Sequence, residues 1–135
     1  MPELQINYLA IGVAALATII IGMIWYSPLM FGSLWLEANG YSPEQMRETA
    51  GRNLIVSLCC YAIMAFVLAA LISYANVSTV LHGAILGFMV WIGFLATLGM
   101  TAYLVHEKPL SVYLIDAGYQ LVYVLVMSVT LASWR

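Results

Sequence analysis

Charge is what this sequence has least of. Only 7% of its 135 residues are Asp, Glu, Lys or Arg, against about 25% in an ordinary soluble domain, and a water-soluble surface cannot be built from so few. The balance is four basic against six acidic side chains, with no basic cluster to neutralise phosphates, so nucleic acid is not an expected partner. Cysteine is scarce as well. The two present, Cys59 and Cys60, are adjacent, and neighbours on a helix point about 100° apart, which argues against a structural disulfide. They read as small apolar packing residues. Also missing are a Gly-rich phosphate loop and a Ser nucleophile motif, so no enzymatic activity and no cofactor are expected. On a straight helix His82 and His106 stand about 36 Å apart and cannot share a metal. His106 could meet Glu107 and Asp116 on one side of the chain. The preferred reading of these three is loop and span residues near an interface, with a His and carboxylate site as the alternative.

What fills the sequence instead is apolar surface, 64% of all residues, gathered into runs long enough to cross a hydrocarbon core about 30 Å thick. Four spans are expected, at about 6–26, 53–74, 80–103 and 110–134, in a single all-α membrane domain. The first run is a span rather than a cleavable signal, because Glu3 replaces the usual basic n-region and the core is too long. Along it Ala10, Ala14, Thr18 and Gly22 recur every fourth position, a narrow face on which another helix backbone can lie close. Gly83 and Gly87 form a similar step in the third span, followed there by a weakly polar stripe of Gly93, Thr97 and Thr101. Ala75 to Thr79 is short enough to hold the second and third spans side by side and antiparallel.

Segment 28–52 is not an ordinary polar loop. Ser27-Pro28 ends the first span, and the apolar stretch after it is too short to cross again. Phe31, Leu34, Trp35 and Ala38 share one helical face, which fits a short helix lying in the interface or, equally, a turn packed on the bundle. Trp25, Tyr26, Ser27, Pro28, Phe31 and Trp35 are the expected interfacial anchor. Ser42-Pro43-Glu44-Gln45 carries a helix start with a capping box. With no strong stop before Asn53, one long helix is predicted to run from there through the second span. Its first turns, bearing Glu44, Arg47 and Glu48, would form a solvated face.

The residue with most to say about function is Asp116, about six residues or roughly 9 Å inside the fourth span. An acid at a span centre costs roughly 2.5–3.5 kcal/mol on insertion scales, less nearer the interface, so it should face the bundle or a wet cavity. Tyr113, Asp116, Gln120 and Tyr123 make one polar stripe at helical spacing. Three readings stay open for it: glue between helices, the lining of a path for protons, ions or a small solute, or a docking face for a larger complex. An internal echo accompanies it. Gly22-Met23-Ile24-Trp25-Tyr26 and Gly99-Met100-Thr101-Ala102-Tyr103 share Gly, Met and Tyr at equal spacing, as a parallel duplication of a two-helix hairpin would produce.

Three blocks carry a family likeness: Asn7-Tyr8-Leu9-Ala10; Trp25-Tyr26-Ser27-Pro28 with Phe31-Gly32 and Trp35; and Asp116-Ala117-Gly118-Tyr119. In these the chain resembles the small bacterial membrane proteins catalogued as domain of unknown function 1761. The resemblance implies a four-span protein of the bacterial inner membrane and transfers no activity. It also implies that Asp or Asn stands at the place of Asp116; an amide cannot relay a proton, which favours hydrogen bonding there. Glu107-Lys108-Pro109 departs from the family, where Gly often stands between the acid and the base, a change expected to alter the turn only. By the distribution of Arg47, Arg52 and Lys108 against Arg135, loops 27–52 and 104–109 should be cytoplasmic and both termini opposite. The expected function is a non-enzymatic multi-pass protein in the lipid bilayer, self-associating or serving as an accessory subunit of a membrane complex. The alternative is a small channel or transporter using Asp116 and Gln120.

Overall fold

The computed structural model describes residues 3–134, which are all-α with no strand among them. The helices are α1 (Tyr8–Trp25), α2 (Gly32–Asn39), α3 (Pro43–Glu48), α4 (Ala50–Tyr74), α5 (Val80–Val90), α6 (Ala96–Val105) and α7 (Leu110–Ser133). A π turn, Trp91–Leu95, joins α5 to α6 without a break. Four rods, α1, α4, Val80–Val105 and α7, are long and apolar enough to cross a membrane, which is the build of a membrane protein. Arg135, on which the expected sidedness also leans, lies outside the described residues.

Each connection is closed by local hydrogen bonds that the sequence encodes. Asn7 caps α1, its Oδ1 accepting from the Ala10 N–H at 3.2 Å. Ser42 caps α3 and exchanges bonds with Gln45 in a complete capping box. Thr79 caps α5 by accepting from the His82 N–H at 3.2 Å. Three helices end in the same left-handed turn: α2 at Gly40, α4 at Asn76 and α6 at Glu107, with φ of 72°, 56° and 52°. In each, the next residue donates back to the carbonyl five positions earlier, Tyr41 to Leu36, Val77 to Ile72 and Lys108 to Tyr103. This satisfies carbonyls a helix end would leave bare. Asn76 suits that conformation; Glu107 adopts it against its steric preference.

The helix predicted to run unbroken through the second span is interrupted at Thr49 (φ −108°, ψ 4°), which ends α3 and starts α4. The β-branched Thr49 and the nearby Gly51 are weak helix formers, and side-chain chemistry favours the break: the Thr49 Oγ1 accepts from the Asn53 Nδ2 at 3.2 Å. The stretch after Pro28 is a helix, and it docks on α7. Gly32 is needed at its start, because a Cβ there would strike the Tyr26 carbonyl.

At the centre of the bundle is α7, with α1, α4 and α5 packed around it and α1 also against α4. The small face of α1 is used here: Ala10, Ala14 and Thr18 are wholly buried, and Gly22 lies against the Tyr119 ring. Gly83 and Gly87 seat α5 on α7, where an added Cβ would come within 2.8 Å of the Ala132 Cβ and 2.9 Å of the Ser128 Cβ. Ser128 Oγ donates to the Gly83 carbonyl at 2.6 Å. Because α4 packs on α1 and α7 while α5 presses its two glycines against α7, the pair expected to lie side by side does not pack closely. An apolar gap of about 260 Å³ parts them, bounded by Met64, Val67 and Leu71 on one side, Val90 on the other and Val124 and Met127 beneath. Cys59 and Cys60 are likewise not packing residues: both are exposed thiols, since α4 has no buried residue before Ala65.

The π turn decides how the third rod meets α7. Gly83, Gly87 and Trp91 follow one another at four-residue steps on the face toward α7; the extra residue of the turn then moves the next contact to the buried Ala96. From there Gly99 lies 3.4 Å, by an added Cβ, from the Tyr113 ring, and Tyr103 follows one turn later. A regular α-helix would drift off this line.

Candidate functional site

Asp116 sits half-buried on α7, where three other elements reach it. Tyr26, just past α1, donates its hydroxyl to Oδ1. Trp35 of α2 donates its indole N–H to the same oxygen at 3.0 Å. Tyr103 of α6 donates its hydroxyl to Oδ2. One carboxylate thus ties together four segments, two from the first third of the chain and two from the last third. Charge-assisted hydrogen bonds of this type are stronger than neutral ones, and three donors offset the expense of holding an acid in an apolar bundle.

Around that centre the indoles form a second tier. Trp25 Nε1 donates to the Ile115 carbonyl and Trp91 Nε1 to the Ala117 carbonyl, each at 3.0 Å, on either side of Asp116. The sequence echo has a counterpart in space. Gly22 and Tyr26 meet Tyr119 and Asp116 from one side, and Gly99 and Tyr103 meet Tyr113 and Asp116 from the other. The two matching tyrosines grip the two oxygens of one carboxylate.

The polar stripe expected on the fourth span is divided among different neighbours. Tyr113 donates to the Ala96 carbonyl at 2.9 Å, Asp116 takes the three donors, and Tyr123 points its hydroxyl at the Met64 sulfur, 3.9 Å away. Gln120 is half-buried with no hydrogen bond among the described residues. Sequence reasoning passed over Tyr119, which donates to the Thr18 carbonyl at 2.9 Å and lies 3.2 Å from the Tyr61 hydroxyl. It also did not assign Tyr103 or Trp91 a role. The available signal was the echo, whose final Tyr in each copy is an Asp116 partner. The expected anchor residues turn inward: Trp25 stacks on Phe31 at 4.9 Å, and Tyr26 meets Trp35 edge-on at 5.6 Å. Ser27 returns its hydroxyl to the Ile24 carbonyl at 2.7 Å, and Pro28 is exposed. The neighbouring Leu29, Met30 and Leu34 also face outward.

Beside Asp116 a cavity of about 310 Å³ opens between α2 and the α6–α7 turn. Trp35, Tyr41 and Tyr103 wall it, and Asn39, His106 and Lys108 add polar groups. The Lys108 ammonium stands 5.2 Å above the centre of the Tyr41 ring. His106 and Asp116 therefore share one cavity, whereas Glu107 is exposed and does not line it. Among the described residues no three His, Cys, Asp or Glu side chains gather as metal ligands do.

Three long apolar rods gathered round a fourth, which carries one tethered acid, are the build of a four-span helical membrane protein. The chain belongs to the family described as Protein of unknown function (DUF1761), whose model matches residues 9–132. That match takes in all three sequence blocks except Asn7 and Tyr8, so the resemblance read from them is kinship. No curated protein and no solved structure matches the chain.

Proposed function

We propose that the protein is a non-catalytic membrane subunit that works by lateral assembly, with copies of itself or within a larger complex. In this reading it lies in a bacterial inner membrane with loops 27–52 and 104–109 on the cytoplasmic side. One observation carries the assembly: the third rod has a small-residue face that its own protomer leaves unused. Gly83 and Gly87 are consumed against α7, but beyond the π turn Gly93, Thr97 and Thr101 are all exposed, and nothing lies within 4 Å of a Cβ built on Gly93. The hydroxyls of Thr97 and Thr101 are turned back to the Gly93 and Leu98 carbonyls at 2.9 and 2.8 Å, so this face offers close backbone approach without unpaired polar groups.

The channel reading has less support. Asp116 is already tied to Tyr26, Trp35 and Tyr103 within the bundle, and past Gln120 the stripe passes into the apolar surroundings of Val124 and Met127. To test assembly, Cys59 and Cys60 are replaced by Ala and a single cysteine is placed by Thr97→Cys or, as control, Val67→Cys. Oxidation in native membranes should cross-link the first and not the second. A strictly monomeric particle in mild detergent, with no co-purifying protein, would end the proposal.

A further inference from the structure

The cavity beside Asp116 is lined by His106 and Lys108 as well, groups that the bonds holding the bundle together do not use. Its walls are aromatic, with Trp35 and Tyr41 at 5.7 Å centre to centre and Tyr103 completing them. The half-buried Asp116 carboxylate lines it from α7, and the exposed His106 and half-buried Lys108 line it from the turn before α7. A carboxylate has about four acceptor positions. Tyr26 and Trp35 occupy two on Oδ1 and Tyr103 one on Oδ2, which leaves one free on the oxygen nearest the Tyr103 wall. At the other end, Lys108 makes no ion pair among the described residues and rests only on the Tyr41 ring. An acid and a base thus face one cavity without pairing to each other, and aromatic faces line the space between them.

We infer that this cavity is a binding site for a small zwitterionic solute, going beyond the assembly proposed above and independent of it. Its ammonium group would sit against Asp116 Oδ2 among Trp35, Tyr41 and Tyr103, which attract cations by charge and by their ring faces. Its phosphate or carboxylate would be held by Lys108 and His106. The volume of about 310 Å³ is at the small end of ligand sites, roughly 300–1,000 Å³, and suits a molecule the size of phosphoethanolamine. The order of the charges favours a free solute over a lipid head group. The acid lies deeper along α7 than the base in the turn before it, so the ammonium must enter first, whereas a lipid tethered by its phosphate presents its ammonium outward.

The test is calorimetric titration of the full chain in mild detergent with phosphoethanolamine, ethanolamine and inorganic phosphate. Phosphoethanolamine should bind saturably and at least about tenfold tighter than either fragment, the increment of one charge-assisted contact. Lys108→Gln should bring it down to the level of ethanolamine and leave ethanolamine unchanged. Tyr41→Leu, which removes none of the three donors to Asp116, should weaken both ammonium ligands by about fivefold and leave phosphate unaffected. Absence of saturable binding, phosphate binding as tightly as phosphoethanolamine, or indifference to both substitutions would overturn the site. In vesicles, affinity should be the same in phosphatidylcholine with or without phosphatidylethanolamine. Competition by the latter would overturn the assignment to a free solute.

Discussion

The two halves of α7 hold the bundle together by different means. From Val124 to Ala132 the helix is dry and close: Met127 and Ser128 have no exposed surface, and two glycines of α5 are pressed against Ser128 and Ala132 with no room for a methyl group. From Tyr113 to Tyr119 it is held by polar bonds from rings, with Tyr26, Trp35 and Tyr103 on Asp116, Trp25 and Trp91 on the adjoining carbonyls, and Tyr113 and Tyr119 reaching out to other helices. In lipid, moving an apolar side chain from hydrocarbon into a helix interface gains little, so close fit and hydrogen bonds must do the work. Close fit demands that the helices touch. Long aromatic side chains with a polar tip can tie them across a space. That is why the loop end tolerates the cavity beside Asp116 and a second opening of about 420 Å³, where Asn53, Ser57 and Tyr61 of α4 face Tyr26 and Tyr119. At the opposite end α5 closes tightly on α7, and the space left there is the apolar gap between α4 and α5.

Breaking the polar half should have the largest effect. Asp116→Leu strands three donors from three segments, and at a cost of about 1 kcal/mol for each, the low end for partly exposed groups, thermal unfolding in detergent should report a loss of roughly 3 kcal/mol. Asp116→Asn, which keeps an acceptor, should lose clearly less. An equal loss for both would mean that the carboxylate charge, not the acceptor geometry, holds this end. Next comes the close-fitting half. Gly87→Leu must push α5 away from Ser128 and should destabilise by about 2 kcal/mol. Its near-ultraviolet circular dichroism, dominated by the rings around Asp116, should remain that of the parent protein. A collapse of that signal would show the halves to be one cooperative unit. The smallest effect is expected at the turn that delivers Lys108 to the cavity. Glu107→Gly relieves a left-handed residue and should raise stability by about 0.5–1 kcal/mol; a drop in the unfolding midpoint would count against strain there.

Much of this architecture can be read along the chain, because most of it is a matter of local composition. Apolar runs of the right length mark the rods, and Ser42, Pro43 and Gln45 mark a helix start that is formed as read. The every-fourth spacing of Ala10, Ala14, Thr18 and Gly22 identifies a face that is buried from Ala10 to Thr18 and lies against Tyr119 at Gly22. Other features have no local signature. The interruption at Thr49 depends on a small backbone preference that could have been overridden by the long hydrophobic run around it. The π turn at Trp91–Leu95 exists because the third rod must keep contact with α7 over its whole length, a demand made by a helix that comes later in the chain. Cys59 and Cys60 look like any buried small residues until it is known which part of α4 reaches its neighbours.

Asp116 shows where the boundary falls. From the sequence alone, an acid inside a span has to find partners, since hydrocarbon offers none, and hydrogen bonding to a neighbouring helix is among the readings its stripe leaves open. Tertiary structure chose the donors, drawing Tyr26, Trp35 and Tyr103 from three separate segments and sending the tyrosines of the stripe elsewhere. Composition and periodicity are properties of consecutive residues, so they determined the rods, their caps and the need to satisfy the acid. Which donors satisfy it, and the cavity left beside it, are set by how the rods rotate and slide against one another.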